Sequence, residues 1–144
     1  MPIVKTSLLI NAPADKIFDT MVDPEGIPKW APIDSVSNIK GEPGEIGSSA
    51  DYTLRVFGIK LQQTMTVLQV DKPYNIVYEM AGGFPGKWTY DLKAEDNGVR
   101  VSAEVYYTVR GGVIGNIANK ILLQRMHQKK TELFAIGLKT FCEA

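Results

Sequence analysis

The stretch that decides the fold is Val113–Glu143, VIGNIANKILLQRMHQKKTELFAIGLKTFCE, whose apolar residues recur at the spacing of one long amphipathic helix. Almost everything between Ile33 and Val109 has the alternation of β-strands instead. One helix about 10 Å wide cannot fill the concave face of a sheet of six or seven strands. The sequence therefore predicts a hollow between helix and sheet, and such a hollow usually holds something apolar.

Before this helix, the sequence predicts one strand, two short helices and then the remaining strands. Ile3 to Ile10 is rich in β-forming residues. Ala14–Val22 has helical spacing, and a second short helix of roughly Glu25 to Trp30 ends ahead of Pro32. The later strands alternate apolar and polar residues, which favours antiparallel strands with one face in water. The predicted class is therefore α+β, with one antiparallel sheet and a long C-terminal helix.

One strand has an ambiguous inner face. Two sets of residues with opposite parity compete for it within Ile59–Val70: Leu61, Gln63, Met65 and Val67 against Leu68 and Val70. Because a shift of one residue moves every side chain to the other face, the pattern leaves this register open.

Length and charge restrict the classes of function. The 144 residues fit one domain, residues 1–144, and 16 basic residues balance 16 acidic ones at a pI of about 6.6. No basic surface for nucleic acid is expected, and no apolar run is long enough for a membrane span. The single cysteine, Cys142, excludes an intrachain disulfide, and the N-terminus lacks a signal-peptide pattern. We expect a cytoplasmic protein without integral membrane contact.

The inner face of the predicted sheet is aromatic, as the walls of small-molecule pockets usually are. The alternative is that these rings simply fill the core. We expect the ligand-binding wall to combine residues of the sheet with three residues of the helix: Tyr52, Met65, Tyr78, Trp88, Tyr90, Val105 and Tyr107 with Ile117, Ile121 and Arg125.

The long helix has charged residues on its apolar stripe. The stripe is formed by Ile114, Ile117, Ala118, Ile121, Leu122, Leu133 and Ile136, and Arg125, Lys129 and Glu132 fall near its middle. Either these charges reach solvent at the rim of the hollow, or Arg125 contacts a ligand. His127 falls away from the stripe, which predicts a surface histidine.

Several short motifs, in this order, resemble the START-like superfamily, also called Bet v 1-like or polyketide cyclase/dehydrase. They are Ile10-Asn-Ala-Pro-Ala-Asp-Lys-Ile-Phe18, Asp23-Pro24 with Pro28-Lys-Trp30, Gly82-Gly83 with Trp88, Asn97-Gly98-Val99-Arg100-Val101, and Tyr107-Thr-Val-Arg-Gly-Gly112. The resemblance implies a helix-grip fold, in which a curved antiparallel sheet wraps around the C-terminal helix and encloses an apolar cavity. It also implies that the glycine-rich joint Gly111–Gly115 lies near the cavity entrance.

The chemistry of the sequence favours binding over catalysis. One histidine and one cysteine cannot supply a protein-ligated zinc or iron site, so no metal and no cofactor are expected. The leading hypothesis is non-catalytic binding or transport of a hydrophobic small molecule such as a lipid, a quinone or a polyketide-like compound. The alternative is an enzyme resembling polyketide cyclases, aromatases or dehydratases, with Arg125, Tyr107 and Tyr90 as catalytic candidates. A chaperone-activator module would need a large exposed apolar patch, which the alternation does not predict.

Overall fold

The computed structural model of the protein describes residues 3–108 and 120–144, which form one sheet and three helical segments. The strands are β1 (Ile3–Ile10), β2 (Ser35–Lys40), β3 (Ser49–Val56), β4 (Ile59–Asp71), β5 (Asn75–Gly82), β6 (Gly86–Glu95) and β7 (Gly98–Tyr107). The helices are α1 (Ala14–Val22), a 3-10 helix (Pro24–Lys29) and α2 (Lys120–Glu143).

The seven strands form one open, curved antiparallel sheet in the order β1-β7-β6-β5-β4-β3-β2. From β2 to β7, strands that are consecutive in the chain are neighbours in the sheet. Strand β1 pairs with β7 at the other edge, for example Val4 with Val105. The predicted fold class and the two short helical segments after β1 are therefore confirmed. The joint Gly111–Gly115 and the first turns of the predicted helix lie outside the described residues.

A β-bulge in β4 explains why its sequence pattern was ambiguous. The pairing with β5 shifts between Val67 and Gln69, so Leu68 is the extra residue and lies largely exposed. Gln63 and Val67 are buried on the inner face before the bulge, and Val70 packs against the core after it. The first pattern therefore holds before the bulge, whereas of the second pattern only Val70, and not Leu68, packs against the core.

Helix α2 lies along the β1 edge of the sheet. Side chains on one row of the helix donate hydrogen bonds to outward-facing carbonyl oxygens of β1: Gln124 to Ile3 at 3.1 Å, Gln128 to Lys5 at 3.2 Å and Lys139 to Leu9 at 3.0 Å. These bonds give partners to an edge that would otherwise expose unpaired backbone groups. The helix packs chiefly on β1, at one edge of the sheet, and much less on β7.

The predicted apolar stripe of the helix is wrong in its orientation. Ile121 is 67% exposed, and Leu122, Leu133 and Ile136 are also exposed. The row that faces the sheet is mixed in character: Leu123, Met126, His127, Lys130, Thr131, Phe134 and Leu138. Side-chain hydrogen bonds to β1 and the close packing of Gly137 against Trp30 fix this orientation, and neither is visible in a hydropathy pattern.

Two hydrophobic clusters hold the structure together, one toward each end of the sheet. The first packs α1 and the end of α2 against the sheet around Ile17, Phe18 and Leu138. The second surrounds Tyr107 and Leu123. Trp88 packs against both clusters, so it marks the region between them.

Candidate functional site

A cavity of about 100 Å3, counted as the space open to the centre of a water molecule, lies beside Trp88 between α2 and the sheet. Its wall is almost entirely apolar and aromatic, as expected for a site that binds an apolar ligand. Strands β3 to β7 supply Tyr52, Leu54, Val56, Gln63, Met65, Tyr78, Met80, Trp88, Tyr90 and Val105. The rest of the wall comes from the helices and loops: Met21, Ile27, Trp30, Ile33, Phe84, Met126, His127, Lys130, Thr131 and Phe134.

The structure places six of the predicted binding residues together in this wall. They are Tyr52, Met65, Tyr78, Trp88, Tyr90 and Val105, all on strands whose alternation was clear or became clear once the bulge was located. Contact between these side chains and a ligand stays a prediction. Ile117 lies outside the described residues.

Three other predicted site residues lie outside the described wall of the cavity. Arg125 is exposed on the outer side of α2, and Ile121 points into solvent on the turn before it. Tyr107 is buried, but its hydroxyl donates a hydrogen bond to Gln124 Oε1 at 2.9 Å, on the α2 row that faces β1. The catalytic candidacy of Arg125 and Tyr107 therefore loses its geometric basis.

The polar side chains of α2 that line the cavity include His127 and not the predicted Arg125. The His127 ring lies between Tyr107 and Phe84, with centroid distances of 3.8 Å and 4.4 Å. Its Nε2 is buried and has no hydrogen-bond partner among the described residues. Burial, with a smaller contribution from the positive charge of Lys130, lowers the pKa of His127 from 6.5 to about 4, so the imidazole is neutral at pH 7. The prediction of a surface histidine is wrong because α2 turns a different face toward the sheet from the one that its apolar stripe predicted.

Both tryptophans of the chain line the cavity. The edge of Phe134 separates them: its ring lies 6.0 Å from Trp30 and 4.9 Å from Trp88. Within the described part of the chain, neither indole N–H forms a hydrogen bond of good geometry. Burial raises the pKa of Tyr90, and the nearby Trp88 indole N–H lowers it by a smaller amount. Trp30 belongs to the first hydrophobic cluster and also lines the cavity.

The three tyrosines of the wall act as neutral polar groups. Burial raises the pKa of Tyr52, Tyr78 and Tyr90 far above the ordinary value of a phenol, and ionisation of Tyr52 or Tyr90 would raise the pKa of Tyr78 further. They therefore stay protonated at physiological pH. Each can orient a ligand with a hydroxyl group, and none can act as a base.

Gln63 fixes the position of Phe84, a loop residue of the cavity wall. Its amide side chain accepts a hydrogen bond from the Phe84 backbone N–H at 2.8 Å and donates one to the Phe84 carbonyl oxygen at 3.0 Å. This two-point attachment presses the Phe84 ring against His127 and Tyr107. Gln63 therefore shapes the wall beside His127 chiefly through Phe84.

Sequence reasoning missed the helix and loop part of the wall. One signal was present: Leu123, Met126, Phe134 and Leu138 recur at a spacing of three, eight and four, which marks a second apolar row on α2. The polar Gln63 within the inner set of β4 was a second signal, because a buried amide needs a specific partner. Ile33 and Phe84 lie in loops and Ile27 lies in the short 3-10 helix, and none of these segments is long enough to show a periodicity.

The part of the chain that the structure describes contains neither a candidate metal site nor a candidate membrane-spanning helix. Among residues 3–108 and 120–144, no group of three or more His, Cys, Asp or Glu side chains could hold a metal ion. In the same ranges, no helix is both long and apolar enough to cross a membrane.

Comparison with known families gives a match over most of the chain. Residues 1–135 match the family model described as polyketide cyclase / dehydrase and lipid transport. None of the curated proteins compared with the sequence matches it. The match confirms the resemblance indicated by the motifs.

Solved structures share the fold at low sequence identity. The TTHA0849 protein of Thermus thermophilus has a TM-score of 0.83 at 20% identity, over 96% of this chain and 95% of that one. A START superfamily protein from Mycobacterium smegmatis gives 0.80 at 15% identity, over 98% and 97%. The Aha1 dimer from Colwellia psychrerythraea gives 0.68 at 18% identity, over 99% and 97%. At these identities the similarity shows the fold alone.

Proposed function

This chain belongs to the polyketide cyclase / dehydrase and lipid transport family, and from that premise we propose that it binds an apolar small molecule in the cavity beside α2. The ligand class is a lipid, quinone or polyketide-like compound. The protein would hold it by burial of apolar surface, with a few hydroxyl and N–H groups fixing its orientation.

The observation that supports this proposal best is the wall itself. A well-packed core leaves few voids larger than a water molecule. Here the space is about 100 Å3, several times the roughly 10–15 Å3 that a single water needs on this measure. The aromatic wall disfavours water, and the Trp30 indole N–H, which has no hydrogen-bond partner among the described residues, would gain one from a bound molecule that reached it.

Tryptophan fluorescence provides a direct test, because the only two tryptophans both face the cavity. We expect titration with octan-1-ol, which has nine heavy atoms, to change the emission in a saturable way. Filling the space with Leu54→Phe should weaken binding by roughly tenfold or more, since the added ring occupies the ligand's volume.

The matched control is Leu68→Phe, the same change at the exposed bulge of β4. It should leave the titration unchanged. Equal binding by a folded Leu54→Phe variant would mean that the alcohol binds elsewhere, and the proposal would be withdrawn.

A second candidate function rests on His127. The sequence offered no base on the inner sheet face, which favoured binding, but the structure brings a neutral imidazole to the wall, and its buried Nε2 has no hydrogen-bond partner among the described residues. With the proton on Nδ1, the Nε2 lone pair could accept a proton from a carbon next to a ligand carbonyl. The Lys130 ammonium, one turn away along the wall, would stabilise the resulting enolate oxygen. Such enolisation is the first step of cyclase and dehydratase chemistry.

Enolisation can be measured without knowing the natural substrate. The exchange of α-protons of 1-phenylbutane-1,3-dione for deuterium, followed by NMR, should be accelerated by the wild-type protein if His127 acts as a base. His127→Gln should then reduce the acceleration by roughly a hundredfold. Lys129→Met, on the exposed side of α2, is the control. No acceleration by the wild type, or none lost in His127→Gln, would leave binding as the sole function proposed.

A further inference from the structure

We propose that the ligand is an apolar acid, with its hydrocarbon part among the aromatic residues and its anionic oxygen at the Lys130 end of the wall. This inference rests on the proposed binding function and narrows it to one ligand class. It also replaces the exposed Arg125 with Lys130 as the residue that meets the ligand's acidic group.

The charge of the wall is the first argument. Of the wall residues that the structure describes, Lys130 alone is charged, and no Asp or Glu lies among them. None of the ion pairs among residues 3–108 and 120–144 includes Lys130. Lys130 is half-buried, so its hydrocarbon stem lies along the apolar wall while water still reaches the side chain. An anionic ligand would supply a counter-charge.

The hydrogen-bonding groups of the wall give the second argument. The Trp30 and Trp88 indoles are donors without any acceptor function, and both N–H groups are buried without a well-formed hydrogen bond in the described structure. A buried donor without a partner costs free energy that a ligand acceptor would recover. Together with Lys130, the wall therefore offers an excess of donors, which matches the oxygen atoms of a carboxylate or an acidic enol.

The geometry brings these groups to one side of the cavity. Lys130 and Phe134 are one helical turn apart on α2, and the Phe134 ring contacts both indoles at 6.0 Å and 4.9 Å. The aliphatic part of the wall includes Leu54 and Val56 of β3. A ligand with one acidic end and one apolar end has the same polarity as the cavity.

Three probes of matched length test the proposal: octanoate, octan-1-ol and n-octylammonium, each titrated at pH 7.5 by tryptophan fluorescence. We expect octanoate to bind at least roughly tenfold more tightly than octan-1-ol, and n-octylammonium to bind most weakly. Lys130→Met should abolish the preference for octanoate while retaining octan-1-ol binding. Lys129→Met, the exposed lysine next to it, should leave the preference intact.

Trp30→Phe provides a second variant, since it keeps the ring and removes the N–H. It should weaken octanoate binding more than octan-1-ol binding, with Trp88 as the remaining reporter. Equal affinity of wild type for octanoate and octan-1-ol, or an unchanged preference in Lys130→Met, would overturn this inference and leave the binding function intact. Failure of all three probes to bind the folded wild type would overturn both.

Discussion

Acidification should destabilise this protein through its single histidine, and the size of the effect can be worked from the structure. The pKa of His127 is about 4 in the fold and 6.5 in the unfolded chain, with burial as the larger cause and Lys130 as the smaller. Because the folded value is lower, the unfolded state takes up the proton first as pH falls. The stability that neutral His127 provides is therefore complete above pH 6.5 and is lost progressively toward pH 4.

The magnitude follows from these two values. At pH 4.5 the unfolded chain is stabilised by protonation about a hundredfold, whereas the folded protein gains very little, which corresponds to about 2.5 kcal/mol of lost stability. Carboxylates also titrate near this range, and the pKa values of Asp51 and Glu143 are lowered by hydrogen bonds. A variant that lacks only the imidazole retains these contributions, so the difference between wild type and variant isolates His127.

Urea unfolding followed by circular dichroism at pH 7.5, 6.5, 5.5 and 4.5 would measure this difference. His127→Gln is neutral throughout the range, and the chain has no other histidine. We expect the free energy of unfolding of the wild type to fall by about 2.5 kcal/mol more than that of the variant between pH 7.5 and 4.5. A constant difference across the range would show that His127 is solvated in the fold, and the placement of His127 in the cavity wall would be wrong.

Three further substitutions test the packing around the cavity. A Cβ at Gly137 would overlap the Trp30 carbonyl oxygen, so Gly137→Ala should lower the free energy of unfolding by about 2 kcal/mol in thermal or urea unfolding. Helix propensity alone would favour alanine by about 1 kcal/mol, so a stabilised variant would refute the close contact. Gln63→Leu should cost about 2–4 kcal/mol in urea unfolding because it leaves the Phe84 backbone N–H and carbonyl unpaired, and a neutral result would mean that water replaces the amide. Arg125→Ala should leave octanoate affinity within roughly twofold of wild type by fluorescence titration, whereas a tenfold loss would restore Arg125 to the site.

The sheet could be predicted from the sequence because strand alternation has a period of two and each inner face is continuous. Tyr78, Trp88 and Tyr90 were placed on the inner face by this pattern alone, and the structure puts all three in the cavity wall. The bulge at Leu68 could not be located, because one extra residue in a strand changes the parity without changing the composition.

The inner face of α2 was mistaken for a physical reason. A helix that borders a cavity carries polar groups such as His127 and Lys130 on its inner side, so its hydropathy pattern no longer distinguishes inside from outside. Ile121 and Ile136 on the outer side made the wrong face more apolar than the correct one. The orientation depends instead on Gln124 and other side chains bonded to β1, which are contacts distant in sequence.

The central claim is that the cavity beside Trp88 holds an apolar ligand, and native mass spectrometry of freshly purified protein tests it most directly. We expect a population of the wild type to carry a discrete additional mass that disappears on denaturation. That mass should be retained by Leu68→Phe and greatly reduced in Leu54→Phe, where the added ring fills the cavity. An additional mass of equal abundance in both variants, or wild-type protein that remains unliganded after incubation with octanoate and octan-1-ol, would contradict the account.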